Sequence, residues 1–227
     1  MDIVYILKNK IDPYELRYSL RSLRHFPHDK VWFYGGEPEG IKADRQVSYL
    51  QTGTNKWEKV RNSLRMVCEN NEITSSFWLF NDDFFCMKDC DGIPAIYNGT
   101  LQDRIRELRQ RHGASEYMSK MIQTEALLRR RGLPTRNYAV HMPMLIERQK
   151  ALEVLNVFDR FPMFRSLYGN YFDIGGEDRP DVKIYDLRRT PSPDAEWLST
   201  TDGSFSKGRV GVYIRKQFTE ACEYEDR

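Results

Sequence analysis

The chain has 227 residues, of which 40% are hydrophobic, 13% aromatic and 30% charged, which fits one large globular domain and excludes disordered and collagen-like chains. Its net charge of +2 argues against a protein that coats nucleic acid. No apolar run approaches the ~20 residues needed to cross a bilayer, and the N-terminus lacks the pattern of a signal peptide. The cysteine spacing does not match a common zinc site. The sequence therefore predicts a cytoplasmic protein with reduced thiols and no membrane span.

The first part of the chain predicts a β-α-β unit. Residues 3–7 form a continuous apolar run (IVYIL), which is typical of a strand buried on both faces of a parallel sheet. Asp12 and Pro13 are an N-cap and a first helical residue, and leucines at helical spacing follow them. Residues 31–34 (VWFY) predict a second strand. The crossover rule makes the two strands parallel.

Apolar periodicity places the later elements. It predicts strands at 47–50, 76–80, 140–146 and 211–214, and helices at 56–70, 101–112, 121–131 and 148–158. The segment 159–195, rich in Arg, Asp, Gly and Pro, has no predicted helix. Strands that alternate with helices predict an α/β protein with three layers, α/β/α, around a mostly parallel central sheet.

Asn81, Asp82 and Asp83 directly follow the strand predicted at 76–80. Ligands of open α/β sheets bind outside the carboxyl ends of the strands. Adjacent carboxylates are costly there unless they are solvated or paired with a cation, and Mg²⁺ and Mn²⁺ prefer such oxygen ligands together with substrate phosphates. The pattern therefore indicates a metal site of the kind that a nucleotide-sugar transferase needs. The alternative is a solvated turn, because Asn-Asp pairs are common in turns.

Three basic candidates follow, each with an ordinary alternative. His141 lies between apolar neighbours and can act as a general base or a phosphate donor, although a hydrogen-bonded core histidine is the commoner case. Arg165, in a predicted loop, offers a planar fork for phosphate oxygens, although most loop arginines are solvated. Arg17 belongs to a stripe with Arg21 and Arg24, which is typical of a solvent-exposed helix face.

Arginine runs at 104–111 and 129–131 are a candidate nucleic-acid contact. Acidic residues on the same predicted helix, Asp103 and Glu107, weaken the positive field. Two solvated helix faces are therefore the favoured interpretation.

In this order the motifs resemble those of the Stealth family of sugar-phosphate transferases. Residues 15–23 (ELRYSLRSL) are the most specific match, and the others are 2–5 (DIVY), 80–85 (FNDDFF), 141–143 (HMP), 164–166 (FRS) and, more loosely, 205–225. The Trp-Val-Asp-Gly that follows the family's opening strand is replaced here by Leu-Lys-Asn-Lys. The segments between the motifs are short, so the resemblance is to a compact relative.

The resemblance implies a GT-A-like nucleotide-sugar fold in one domain over 1–227. Residues 1–100 would bind the nucleotide sugar, 101–135 would be a helical insert, and 136–227 would carry the acceptor site and catalysis. The implied reaction moves a hexose-1-phosphate from a UDP-sugar to a sugar hydroxyl and releases UMP. Transfer of the sugar alone, with release of UDP, stays open.

The resemblance also implies roles for individual residues. Asp82 and Asp83 would hold Mg²⁺ or Mn²⁺ and the donor diphosphate, and Asn81 would position the sugar or a metal-bound water. His141 would deprotonate the acceptor hydroxyl or stabilise the transferring phosphoryl group.

Arg165 and Arg17 would neutralise phosphate oxygens, Arg165 at the catalytic centre and Arg17 at the donor. The acceptor is a hydroxyl of a glycan or, by analogy with compact relatives in phage-like genomes, of a modified DNA base. A nucleic-acid partner is not favoured, and a non-catalytic sugar-binding relative is the remaining alternative.

Overall fold

A computed structural model describes residues 1–112, 115–158 and 163–226 of the chain. For residues 111 and 112 it describes the backbone only. In chain order its elements are β1 (Asp2–Leu7), α1 (Pro13–Ser22), a 3₁₀ turn (Leu23–His25), β2 (Val31–Gly35), β3 (Arg45–Ser48), α2 (Lys56–Glu69), β4 (Ser76–Phe80), β5 (Phe84–Cys86), β6 (Ile96–Tyr97), α3 (Leu101–His112), α4 (Glu116–Arg129), β7 (Met144–Glu147), α5 (Arg148–Val157), α6 (Phe164–Tyr171), β8 (Glu177–Asp178), β9 (Lys183–Ile184), β10 (Trp197–Thr200), α7 (Asp202–Lys207) and α8 (Arg209–Gln217).

The central sheet has five strands in the order β3-β2-β1-β4-β7. The first four are parallel, with Tyr5 of β1 opposite Phe33 of β2 and Phe80 of β4, and β7 runs antiparallel to β4 at one edge. The predicted β-α-β unit is confirmed, and the side chain of Asp12 caps α1 by accepting a hydrogen bond from the Tyr14 amide. The carboxyl ends of β1 and β4 therefore lie side by side.

Helices cover both faces of this sheet. Alternate side chains of β1 point to opposite faces: Tyr5 packs in one buried cluster with Leu16 of α1, and Val4 packs in another with Leu64 of α2 and Val154 of α5. The predicted three-layer α/β/α architecture with a mostly parallel sheet is confirmed. The helices α3 and α4 occupy the segment 101–135 that was predicted to be a helical insert.

A second, three-stranded sheet continues from the end of β4. Its order is β5-β10-β9, with β10 antiparallel to β5 and parallel to β9. Phe85 and Leu198 of this sheet are buried against Phe205 of α7 and Ile214 of α8. The turn 81–83 joins the two sheets, so the residues after β4 lie between them.

Three local predictions are wrong. The apolar run at 211–214 belongs to α8, because Val210 and Ile214, one helical turn apart, are both buried in the core. The strand predicted at 140–146 begins only at Met144. The segment around Arg165 is the helix α6 rather than a loop, and its Gly169 lies so close to the Tyr138 ring that a Cβ atom there would meet it at 2.5 Å.

Across the described ranges, no helix combines the length and the apolar character that a membrane crossing requires.

Candidate active site

A cleft of about 530 Å³ opens where the carboxyl ends of β1 and β4 meet the second sheet. Its lining is mostly polar, and consists of Ile6, Lys8, Glu15, Asn81, Asp82, Asp83, Lys183, Thr200, Thr201, Asp202 and Gly203. The structure thus brings the three predicted residues after β4 into one cleft, at the edge of the sheet where the strand-end rule expects a ligand.

Asp83 is buried at the cleft and bonded to two side chains of the second sheet. Its side chain is 11% exposed, and its Oδ2 accepts hydrogen bonds from the Lys183 ammonium at 2.7 Å and the Ser199 hydroxyl at 3.0 Å. Both donors come from the second sheet, Lys183 from β9 and Ser199 from β10. The pairing with Lys183 compensates the charge of a carboxylate that would otherwise be costly to bury.

Two further carboxyl groups of the cleft have raised pKa values. Burial, reinforced by the neighbouring charge of Asp83, raises the pKa of Asp82 to about 6, although Lys8 acts in the opposite direction. Burial also raises the pKa of Glu15 to about 7, against the effect of a 2.6 Å hydrogen bond from the Thr200 hydroxyl to its Oε1. Glu15 is in the first turn of α1, so the helix beginning and the strand ends share one acidic cleft.

These raised pKa values predict a pH dependence for the ligand-free protein. The pKa of Asp82 rises from 3.8 and that of Glu15 from 4.5, so the folded state holds more protons than the unfolded state between about pH 4 and pH 7. The free energy of unfolding should therefore fall as the pH rises through this window. Urea titrations from pH 4.5 to pH 8 measure the slope. The double variant Asp82→Asn/Glu15→Gln should flatten it, and an equally steep slope in that variant would contradict the prediction.

The cleft suits a divalent cation that shares its ligands with a substrate. Four carboxylates and two ammonium groups line it, so the fully ionised cleft carries excess negative charge. No group of three or more His, Cys, Asp or Glu side chains in the described part of the chain is arranged to enclose a metal. Mg²⁺ usually takes one or two carboxylates and completes its shell with water and substrate phosphates. Asp82 and Asp83 fit that kind of site and not a closed protein cage.

His141 lies beside this cleft and not among its lining residues. Its Nδ1 is 2.7 Å from Oδ2 of Asp181, and its backbone amide donates to Oδ1 of the same carboxylate at 3.1 Å. Asp181 comes two residues before Lys183, whose ammonium holds Asp83. The imidazole is 24% exposed, so it is not sealed in the core.

Arg165 is directed toward backbone carbonyl groups. Its guanidinium donates to the carbonyls of Leu79 at 3.2 Å and Val140 at 3.4 Å, to that of Met142, and to Oδ1 of Asn81 at 3.4 Å. Burial lowers its pKa to about 10, while Asp83 and Asp181 act in the opposite direction. The guanidinium therefore ties the end of β4 to the segment that carries His141. Its role toward phosphate stays a prediction.

The arginine stripe of α1 faces the end of the chain. Arg21 donates to both oxygens of Glu225 at 2.6 and 2.7 Å, and Arg24 donates to the carbonyl of Gln217 at 3.1 Å. Nε of Arg17 is 3.6 Å from Oε2 of Glu225. The prediction of a solvent-exposed face is thus wrong for Arg21. Arg17 is outside the residues that line the cleft, and its donor-binding role stays a prediction.

The arginines of α3 and α4 have acidic neighbours within their own helices. Arg106 is 3.5 Å from Asp103, and Arg129 is 2.8 Å from Glu125. These pairs reduce the positive potential that a nucleic-acid surface would need.

Sequence reasoning missed Lys183, Thr200 and Asp202. Thr200 and Asp202 lie at a strand end much as Asn81 does, because Thr200 is the last residue of β10 and Asp202 follows it by two positions, while Asn81 directly follows β4. No sequence signal marks Lys183, because its strand β9 has only two residues and takes its position from pairing with β10.

Comparisons with known proteins give structural similarity alone. No protein-family model matches this chain, and no curated protein matches it. Among solved structures it is similar to the galactosyltransferase LgtC in complex with donor and acceptor sugar analogs, at 10% sequence identity, over 98% of each chain and with a TM-score of 0.47. It is similar to an active-site mutant of LgtC at 10% identity, over 98% of each chain and with a TM-score of 0.46. The resemblance of the motifs to the Stealth family stays a prediction.

Proposed function

We propose that this protein is a metal-dependent transferase of GT-A-like fold, which moves a sugar or a sugar-1-phosphate from a nucleotide-diphosphate sugar to an acceptor hydroxyl. The observation that carries the proposal is the cleft at the ends of β1 and β4, where adjacent Asp82 and Asp83 form an open acidic site. The motifs after β4 and around His141 and Arg165 resemble those of sugar-phosphate transferases in their order along the chain.

Asp82 and Asp83 would hold Mg²⁺ or Mn²⁺, which, when bound, offsets the charge that builds on the departing phosphate. Lys183 would extend this positive charge toward the phosphate oxygens, since its ammonium already lies at Asp83. Asn81, exposed at the mouth of the cleft, would position the sugar. This assigns donor binding mainly to residues 1–100, with Lys183 contributed by the second sheet.

His141 would act on the acceptor side, taking the hydroxyl proton as the oxygen attacks. In sugar transfer the oxygen attacks C1 of the sugar, the bond from C1 to the diphosphate breaks, and UDP leaves. In sugar-phosphate transfer it attacks the β-phosphorus, the bond between the two phosphates breaks, and UMP leaves. Arg165 would hold the His141 segment against the end of β4, and Arg17 would contribute positive charge at the rim.

Incubation with a panel of UDP-sugars, Mn²⁺ and simple glycan acceptors tests the function. We expect a higher melting temperature only when donor and Mn²⁺ are both present, and release of a uridine nucleotide that depends on the acceptor. UMP identifies sugar-phosphate transfer, and UDP identifies sugar transfer. A protein that releases no nucleotide with any donor is a binding module if the donor still raises its melting temperature, and acts on another substrate class if it does not; in either case the proposal fails.

A further inference from the structure

The carboxylate of Asp181 is the meeting point of the His141 segment and the Lys183 strand. Its Oδ1 accepts hydrogen bonds from the backbone amides of His141 at 3.1 Å and Lys183 at 3.2 Å, and its Oδ2 lies 2.7 Å from Nδ1 of His141. Its side chain is only 21% exposed. Three contacts thus converge on one half-buried carboxylate, between the histidine and the lysine that holds Asp83.

We propose that Asp181 is the positioning residue that fixes the ring orientation and tautomer of His141 for proton transfer in the proposed reaction. An ionised carboxylate only accepts hydrogen bonds, so the neutral imidazole must carry its proton on Nδ1 to make the 2.7 Å contact. Nε2 is then the basic nitrogen, and it makes no hydrogen bond to another described residue. A carboxylate that holds one ring nitrogen in this way sets the chemistry of the other.

The carboxylate is also ionised in the folded protein. Burial alone would raise the pKa of Asp181, but the hydrogen bonds from the His141 ring and backbone outweigh it and lower the pKa. Because the same carboxylate binds the Lys183 amide, the orientation of the imidazole is tied to the strand whose ammonium holds Asp83. The acceptor side and the donor side of the cleft are in this way fixed relative to each other.

A turn-forming role alone would not need a carboxylate. The bond from the Lys183 amide to Oδ1 of Asp181 closes a turn that asparagine closes equally well. Asparagine in place of Asp181 would keep Oδ1 on the two backbone amides and present its NH₂ group to the ring. Nδ1 must then accept, and the proton moves to Nε2, which can no longer serve as a base.

The test compares Asp181→Asn with Asp186→Asn. Asp186 closes the same kind of turn three residues beyond Lys183, with Oδ1 accepting a hydrogen bond from the Arg188 amide at 2.8 Å, and its carboxylate makes no hydrogen bond or ion pair with a histidine in the described part of the chain. Long-range ¹H–¹⁵N spectra of the histidine rings, assigned with His141→Gln, report the tautomer. We expect protonated Nδ1 in the wild type and in Asp186→Asn, and protonated Nε2 in Asp181→Asn.

Activity provides the second readout. We expect kcat to fall about 10²-fold in Asp181→Asn, with an unchanged donor-dependent shift in melting temperature. An unchanged tautomer, or an unchanged kcat despite an altered tautomer, overturns the proposal. Because the positioning role depends on the proposed function, the spectra separate the two: a wild type that transfers nothing but shows the expected tautomers overturns the function and leaves the orientation of His141 supported.

Discussion

Replacing Asp82 with asparagine is expected to lower transfer at least ~10³-fold and, in the same variant, to stabilise the ligand-free protein. Loss of one carboxylate from the proposed metal site would remove several kcal/mol of charge stabilisation from the transition state, and each 1.4 kcal/mol is a factor of ten in rate. Stability moves the other way, because the raised pKa of Asp82 means that its ionised form destabilises the folded state at pH 7. A gain of the order of 3 kcal/mol follows from that shift.

Urea unfolding at pH 7.5 without metal and initial rates with donor and Mn²⁺ check the two halves of this prediction. Asp91→Asn, at an exposed position outside the cleft, removes the same charge and should change neither rate nor stability appreciably. A variant that loses activity because it has lost stability would contradict the prediction. So would an Asp82→Asn protein that transfers at the wild-type rate.

The β-α-β unit could be predicted from the sequence because its signals are local. An apolar run, an aspartate followed by proline, and leucines at helical spacing lie within about thirty residues, and β1, α1 and β2 follow them closely. The acidic site was readable for the same reason, since Asp82 and Asp83 directly follow a strand and the strand-end rule is general.

The side-chain partners of the arginines could not be predicted from the sequence, because those partners are distant along the chain. Arg21 looks like a solvent-facing residue until Glu225, 204 positions away along the chain, meets it. Arg165 looks like a loop arginine until α6 turns it toward the carbonyls of Leu79 and Val140. Such pairings depend on the tertiary arrangement of elements, and neither periodicity nor composition records them.

Lys183 is the clearest case of a residue that only the structure assigns to the site, and its removal gives the second large expected effect. Its ammonium is 14% exposed and is 2.7 Å from Oδ2 of Asp83. Replacing Lys183 with methionine leaves a buried carboxylate without its cation and beside the charge of Asp82. Breaking a buried pair from one side typically costs about 3–5 kcal/mol, so we expect the free energy of unfolding to fall by about 3 kcal/mol.

The same variant should lose about 10²-fold in kcat/KM, since removing one charged contact to a developing phosphate charge has an effect of this size. Lys207→Met, at an exposed position of α7 outside the cleft, is the matched control and should behave like the wild type.

A double variant separates the structural and the catalytic contributions of Lys183. In Asp83→Asn/Lys183→Met neither charge is left unpaired, so stability should return to within about 1 kcal/mol of the wild type, because replacing both members of a buried pair is often close to neutral. Activity should stay low, because the ammonium and one of the two proposed metal ligands are both missing. If the double variant is instead as unstable as Lys183→Met alone, the ion pair is not what holds Asp83 in place. If Lys183→Met keeps full activity with donor and Mn²⁺, the lysine only supports the fold, and the positive charge at the phosphate comes from the metal alone.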